Sequence, residues 1–228
     1  KAAIAAGHRE LAALLLAAGA NKNAGNPLAV AVGNADLASV RFLLEAGANK
    51  EAPDSSGHTP LWIAVEKGHV DVVAALLAAG ANKEAPDSAW RTPLWLAVEK
   101  GYGKVVAALL AAGANKETPD SAGRTPFWFA IEKNHGDVVA ALLAAGANKE
   151  APDSAGRTPL WFAVEKGAGD VVRALLAAGA NKNVRMGSQS VMSYASSLVH
   201  RLASSRAAPG YESHARVWSM LKDVCASY

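Results

Sequence analysis

One 33-residue unit occurs four times in this chain and limits what the chain can fold into. The unit DSSGHTPLWIAVEKGHVDVVAALLAAGANKEAP begins at Asp54, and close copies begin at Asp87, Asp120 and Asp153, each 33 residues after the one before. A fixed period of this length is typical of repeat proteins, in which each unit buries its apolar face against its neighbours. We therefore expect one continuous array of stacked units.

Each unit is predicted to contain a turn followed by two helices. Asp54 and Gly57 stand at the first and fourth positions of a turn, a pattern typical of a hairpin tip. A Thr-Pro pair then begins a short first helix, predicted over about 60–67 and ended by Gly68 with a left-handed backbone. The second helix is predicted over about 70–79, and its apolar residues recur at helical spacing: Val72, Val73, Leu76 and Leu77.

The Thr-Pro-Leu segment at a fixed place in a 33-residue period resembles the ankyrin repeat. The resemblance covers most of the chain. It implies an all-α repeat solenoid made of helix-turn-helix units, each with a β-hairpin loop, here called a finger. It also implies a binding surface for protein partners on the fingers and the concave side of the first helices, without naming the partner.

The repeat pattern divides the chain into seven segments. Residues 1–23 form a partial repeat, and 24–53 form a repeat with a shortened hairpin. The regular repeats A, B, C and D span 54–86, 87–119, 120–152 and 153–185. Residues 186–228 are interpreted as a degenerate, lengthened repeat that caps the stack; an independent docking element is the alternative. Because the chain begins inside a repeat, we expect its true N-terminus upstream, which leaves organelle targeting open.

Composition narrows the class of partner. The formal net charge is only +3, and charges of both signs alternate along the chain, so nucleic acid is not an expected ligand. The chain has one cysteine, Cys225, which excludes an internal disulfide and fits an intracellular, cytoplasmic location. It has no apolar run long enough to span a bilayer and no signal peptide at its start, so membrane insertion is not expected.

The resemblance places candidate partner-binding residues on the fingers and first helices. Trp90 is the foremost, because the other repeats have glycine at its position and tryptophan is enriched in interface hot spots. It could instead fold onto a neighbouring finger. Near-identity between repeats favours recent duplication, a regular partner or a solvated face. The other candidates are His58, Glu66, Arg91, Glu99, Tyr102, Arg124, Glu132, Arg157 and Glu165.

Four tryptophans occupy the place of the histidine in the family's Thr-Pro-Leu-His motif, which puts the bracing usually given by that histidine in doubt. We expect their rings to pack as a ladder along the stack; a flat ligand on the ladder is the alternative. These residues are Trp62, Trp95, Trp128 and Trp161. Gly103, Gly136 and Gly169 replace larger residues nearby and are expected to make room for the rings.

No catalytic, metal or cofactor site is expected. The histidines lack Cys or carboxylate companions at metal-ligand spacing, and Gly187 begins a loop rather than a phosphate cradle. The leading hypothesis is a non-enzymatic module that binds a protein partner. The alternatives are a structural subunit of a large assembly, docked through its C-terminal helices and outer surface, or the recognition part of a longer protein.

Overall fold

The computed structural model describes residues 23, 25–87, 91–120, 123–203 and 210–226, the last three without their side chains. The chain forms two compact units, Lys1–Asn115 and Lys116–Tyr228. Most of the predicted partial repeat at 1–23 lies outside the described residues. Trp90 lies outside them as well, so its predicted role in binding stays a prediction.

The described part of the first unit consists of helix pairs that follow one another in sequence order. The first helix of each pair packs against the first helix of the next, and the second helix against the next second helix. Within a pair the two helices also pack on each other. The helices are α1 (Pro27–Gly33), α2 (Leu37–Glu45), α3 (Pro60–Glu66), α4 (Val70–Ala78), α5 (Pro93–Lys100) and α6 (Gly103–Ala111).

The second unit continues the pattern with two regular pairs and then departs from it. Helix α7 packs on α9, and α8 packs on α10, as in the first unit. A short antiparallel hairpin and two longer helices follow. These elements are α7 (Pro126–Glu132), α8 (Gly136–Ala144), α9 (Pro159–Lys166), α10 (Gly169–Ala177), β1 (Arg185–Met186), β2 (Gln189–Ser190), α11 (Val191–Ala203) and α12 (Tyr211–Ala226).

The helices begin and end where local chemistry predicts. Proline fills the first position of the first helix in repeats A to D, and the preceding threonine hydroxyl accepts the backbone N–H of the tryptophan three residues on, at 3.2–3.4 Å. Gly68 and Gly167 follow the first helices with φ of 70° and 66°. Asn134 takes the same left-handed conformation in repeat C, with φ of 58°. The predicted helix boundaries of the repeats are confirmed.

The fingers are tight turns. In repeat A the Asp54 carboxylate accepts the backbone N–H groups of Ser56 and His58 at 2.8 and 2.9 Å. The Asp54 N–H also donates to the His58 carbonyl at 2.9 Å, and Gly57 has φ of 83°. Among the described residues, only β1 and β2 are strands. They flank the turn at Gly187 and Ser188, so the expected loop is confirmed for those two residues, whereas Gln189 and Ser190 form a strand.

The core of each compact unit is a continuous apolar layer between the first and second helices of its repeats. In repeat A, Leu61, Val72, Val73 and Leu76 are at most 2% exposed, and the equivalent residues of the other described repeats are at most 4% exposed. Burying one such side chain stabilises the fold by about 1.5–3 kcal/mol. The half-buried Leu77 lies at the edge of this layer.

Helices α11 and α12 cover the end of the second unit. Both pack on α9, and α12 also packs on α10. Val191, Val217 and Leu221 are buried there, at 1% exposure or less. The His214 ring lies between two carbonyl oxygens, 2.7 Å from Gly210 and 3.0 Å from Glu165. These helices therefore occupy the place where the sequence predicts a terminal cap.

Candidate functional site

A recurring ion-pair network, here called the finger relay, joins each finger of repeats B, C and D to the end of the following first helix. In repeat B, Nε and Nη2 of Arg91 donate to Asp87 Oδ2 at 3.0 and 2.8 Å. Nη1 of Arg91 donates to Glu99 Oε2 at 2.7 Å. The equivalent relays are Asp120, Arg124 and Glu132 in repeat C and Asp153, Arg157 and Glu165 in repeat D.

The relay follows from the shape of the finger. The first and last residues of the turn face each other through a backbone hydrogen bond from Asp87 N–H to the Arg91 carbonyl at 3.0 Å. This brings the arginine side chain onto the aspartate, whose side chain is only 5% exposed. A buried carboxylate is costly without a partner, so the guanidinium stabilises the finger. Six residues predicted to bind a partner therefore already bind each other: Arg91, Glu99, Arg124, Glu132, Arg157 and Glu165.

The electrostatics of the relay keep both partners charged. Burial raises the pKa of Asp153, but hydrogen bonds from the backbone and side chain of Arg157 outweigh it and leave that pKa below its ordinary value of 3.8. Burial lowers the pKa of Arg157, but hydrogen bonds to Asp153 and Glu165 outweigh it and hold that pKa above its ordinary value. The pair therefore remains ionised throughout the physiological pH range.

Aromatic rings support the relay arginines. The guanidinium of Arg124 lies 5.0 Å from the centre of the Phe129 ring, and that of Arg157 lies 4.7 Å from Phe162. Both distances allow a cation–π attraction. In repeat B the corresponding residue is Leu96, and Arg91 lies instead 5.9 Å from the Trp62 ring of repeat A.

Repeat A lacks a complete relay because His58 stands where the other repeats have arginine. The His58 ring stacks on Trp62 with centres 5.8 Å apart and an interplanar angle of 19°. Its Nδ1 is 4.0 Å from Asp54 Oδ2, which is beyond hydrogen-bond distance. Within the described part of the chain, the exposed Glu66 carboxylate forms no hydrogen bond or ion pair. The relay of repeat A is therefore open.

Two equivalent pockets lie between consecutive fingers and first helices, one in each unit. The pocket between repeats A and B, here called the A–B pocket, has a volume of about 470 Å³. The C–D pocket has a volume of about 460 Å³. The A–B pocket is lined by His58, Trp62, Glu66, Arg91, Leu96, Glu99 and Lys100. The C–D pocket is lined by Gly123, Arg124, Trp128, Glu132, Pro152, Asp153, Ser154, Arg157 and Phe162.

The pockets bring together most of the predicted binding residues. The A–B pocket gathers His58, Glu66, Arg91 and Glu99, and the C–D pocket gathers Arg124, Glu132 and Arg157. Glu165 is held through its relay with Arg157. Tyr102 lies elsewhere: it precedes α6, and its ring packs close to Gly68 at the turn between the helices of repeat A.

The four tryptophans predicted to form a ladder differ in burial. Trp62, Trp95 and Trp161 are 4–6% exposed, whereas Trp128 is half-buried and lines the C–D pocket. Trp128 meets the Phe162 ring edge-on at 5.7 Å. Trp161 stacks on Tyr194 of α11 at 4.8 Å, which joins repeat D to the C-terminal helices.

The sequence suggested that the glycines at the start of the second helices make room for these rings, but in repeats C and D they do not. A Cβ on Gly136 would lie 2.7 Å from the Cβ of Asp170, at the start of the next second helix. A Cβ on Gly169 would meet Met220 of α12 at 3.4 Å. At these two positions the space is needed by the neighbouring helix, so the expectation is wrong there.

A second set of carboxylates, which sequence reasoning missed, ties successive repeats together. The Glu51 side chain accepts the backbone N–H of Asn82 in the next repeat at 2.9 Å. Glu84 does the same for Asn115, and Glu150 for Asn181, at 2.9 and 2.8 Å. The recurrence of glutamate at one repeat position was the available signal. These bonds give part of the bracing that the absent histidines put in doubt.

Two absences in the described residues bear on the chemistry of the site. Within that part of the chain, no three His, Cys, Asp or Glu side chains are grouped so that they could hold a metal ion. In the same residues, no helix has both the length and the apolar character needed to cross a bilayer.

Comparison with protein families gives a match to Ankyrin repeats (3 copies) over residues 1–87, 28–120 and 94–186. The match confirms the fold class predicted from the repeat pattern. Ankyrin repeats are in general protein–protein interaction modules, and the family is typically non-enzymatic. No curated protein matches the chain.

Proposed function

Because this chain belongs to the ankyrin-repeat family, we propose that it is a non-enzymatic interaction module that binds a protein partner through its fingers and the concave side of its first helices. The observation that supports this surface most directly is the A–B pocket, which finger and first-helix residues line together. Its counterpart in the second unit has nearly the same size, so the feature belongs to the repeat itself.

The pocket walls have the composition of a recognition surface. Each pocket combines a tryptophan and a second apolar side chain with arginine and glutamate at the rim. Tryptophan and arginine are enriched among the residues that dominate binding energies. The relays already hold the Arg91 and Arg157 side chains in place, so binding orders fewer side chains and loses less entropy.

Charge reversal on the two faces of repeat B tests the binding surface. Lys100 lines the A–B pocket at the end of α5, whereas Lys104 is exposed on the second helix α6. Lys100→Glu should weaken partner binding, and the matched control Lys104→Glu should leave it unchanged. The partner is isolated from the native source with the full chain as bait, and its contacts are mapped by lysine cross-linking.

Cross-links from Lys67, Lys100 and Lys133 to one protein would support the proposed surface. Cross-links confined to Lys222 of α12, together with equal effects of the two reversals, would contradict it. That result would favour docking through the C-terminal helices, as in a subunit of a larger assembly.

A further inference from the structure

The open relay of repeat A has the chemistry of a receptor for a cation. In repeats B, C and D one guanidinium lies between two carboxylates, at 2.6–3.2 Å from its oxygen partners. In repeat A both carboxylates, Asp54 and Glu66, are present, but His58 supplies no guanidinium. We propose that the A–B pocket binds an arginine side chain of the protein partner, with Glu66 as its ion-pair partner; this rests on the function proposed above.

The pocket walls suit the planar guanidinium. His58 and Trp62 form one wall, and their rings are nearly parallel. Trp62 is only 4% exposed and Arg91 lies 5.9 Å from its ring, so the His58 ring, whose side chain is 34% exposed, offers the stacking surface. Guanidinium groups stack on such rings, as Arg157 does on Phe162 at 4.7 Å. The exposed Glu66 carboxylate lines the same pocket and needs no rearrangement to accept two N–H donors.

The other charges of the pocket leave Glu66 as the open acceptor. Arg91 is bonded to Asp87 and Glu99, so neither the Arg91 guanidinium nor the Glu99 carboxylate is open. Lys100 also lines the pocket, but its side chain is exposed and forms no ion pair with Glu66 or any other described residue. Repeat A therefore carries one more uncompensated negative charge than a complete relay, and this excess favours a cationic guest.

The C–D pocket provides the internal comparison. Arg124, Trp128 and Glu132 there correspond to His58, Trp62 and Glu66, each 66 residues earlier. Arg124 bonds Glu132 at 2.6 Å, so the position that is open in repeat A is filled in repeat C by the chain's own side chain. Arginine in place of His58 should close the A–B pocket, and histidine in place of Arg124 should open the C–D pocket.

The test uses the full chain and two small probes, N-acetylarginine methylamide and N-acetyllysine methylamide. Binding is followed by NMR through the indole N–H signals of Trp62 and Trp128, assigned with Trp62→Phe and Trp128→Phe. The arginine probe should shift the Trp62 signal saturably, and the lysine probe should bind more weakly. Glu66→Gln should weaken arginine binding about fivefold, the size expected for a partly exposed ion pair.

Two relay exchanges make the test decisive. His58→Arg should abolish the Trp62 response, and Arg124→His should create a saturable response at Trp128. His58→Arg restores the residue of the other repeats, so it should fold; circular dichroism checks this. The inference is overturned if Trp62 does not respond, if Glu66→Gln and His58→Arg bind the probe as the natural chain does, or if Arg124→His gains no response.

The outcome separates this inference from the proposed function. If the partner cross-links to the fingers but binds His58→Arg as tightly as the natural chain, the proposed interaction surface is supported and the proposed arginine site is contradicted. If the arginine probe binds at Trp62 but the partner cross-links only through α12, the A–B pocket is supported as an arginine-binding site and the proposed function is contradicted.

Discussion

Replacing Gly136 by alanine tests the close approach of two neighbouring second helices. Gly136 is the first residue of α8, and a Cβ there would lie 2.7 Å from Asp170 Cβ and 3.1 Å from the Asp170 carbonyl carbon. Non-bonded carbons prefer about 3.5–4.0 Å, so the shortfall is about 0.8 Å or more. Because one of these atoms belongs to the backbone, a rotamer change cannot remove the clash, and α8 and α10 must separate.

The expected cost is set by two opposing terms. Overpacking of this kind typically costs about 1–3 kcal/mol. Alanine in a helix regains about 0.5–1 kcal/mol over glycine, and less at a first helical position such as this one. We therefore expect Gly136→Ala to lower the free energy of unfolding by about 1–2 kcal/mol. Gly136→Leu adds more atoms at the same contact and should cost more.

Gly169 offers a matched control in the next repeat. It also begins a second helix, but a Cβ there meets only Met220 Cε at 3.4 Å and Val217 Cγ2 at 3.9 Å. Both distances are ordinary contacts, and the nearer atom is the tip of a flexible side chain. Gly169→Ala should therefore be neutral or stabilise the chain by about 0.4–1 kcal/mol, through lower entropy of the unfolded state.

The measurement is urea unfolding of the natural chain and both variants, followed by circular dichroism and tryptophan fluorescence. A lower midpoint with an unchanged slope would report a true loss of stability in Gly136→Ala. For a chain of 228 residues, a loss of 1 kcal/mol lowers Tm by about 2–4 °C. The helix-contact argument is refuted if Gly136→Ala is as stable as Gly169→Ala.

Three further predictions concern the caps and the relay. Thr125→Ala removes the acceptor for the Trp128 N–H and should cost about 1 kcal/mol in urea unfolding, whereas Thr125→Ser should cost little. Arg157→Lys loses the two N–H donors to Asp153 and the stacking on Phe162. Because the site is partly exposed, the free energy of unfolding should fall by only about 0.5–1 kcal/mol. The pKa of Asp153 is lower in the folded chain than in the unfolded chain, where it is near 3.8. The ionised carboxylate therefore contributes stability that is present at a pH above the unfolded pKa and is lost as the pH falls through the folded pKa. Asp153→Asn should therefore be less stable than the natural chain at neutral pH, and the difference should shrink as the pH falls below 3.8. Unfolding midpoints measured across this pH range check it, and a constant difference would contradict it.

The helix termini could be predicted because their causes are local. Thr125 and Pro126 are neighbours, and the threonine side chain reaches an N–H only three residues away. Asn134 stands where Gly68 and Gly167 stand in their repeats, and its left-handed φ of 58° follows from its type and place alone. Such features depend on a few consecutive residues, which one sequence shows completely.

The relay was missed because its contacts follow no secondary-structure period. Arg91 and Glu99 are eight residues apart across the turn and the whole first helix, which neither helical nor strand spacing relates. The repeats did contain a signal, since aspartate, arginine and glutamate recur together in B, C and D. The role of Gly136 was missed for a related reason: it depends on the distance between two helices, which the residues around the glycine do not specify.

The relay also changes how the near-identity of the repeats is interpreted. Arginine and glutamate recur in repeats B, C and D because they hold the finger to its helix, so their sameness follows from folding and does not require a regular partner. Selectivity would then arise where the repeats differ, at His58 and at the neighbouring Leu96. Substitution of Arg91 would disturb folding and binding together, because it belongs to a relay and to a pocket wall. Substitution of Glu66, which has no partner within the described chain, changes the surface alone and therefore isolates the contribution of binding.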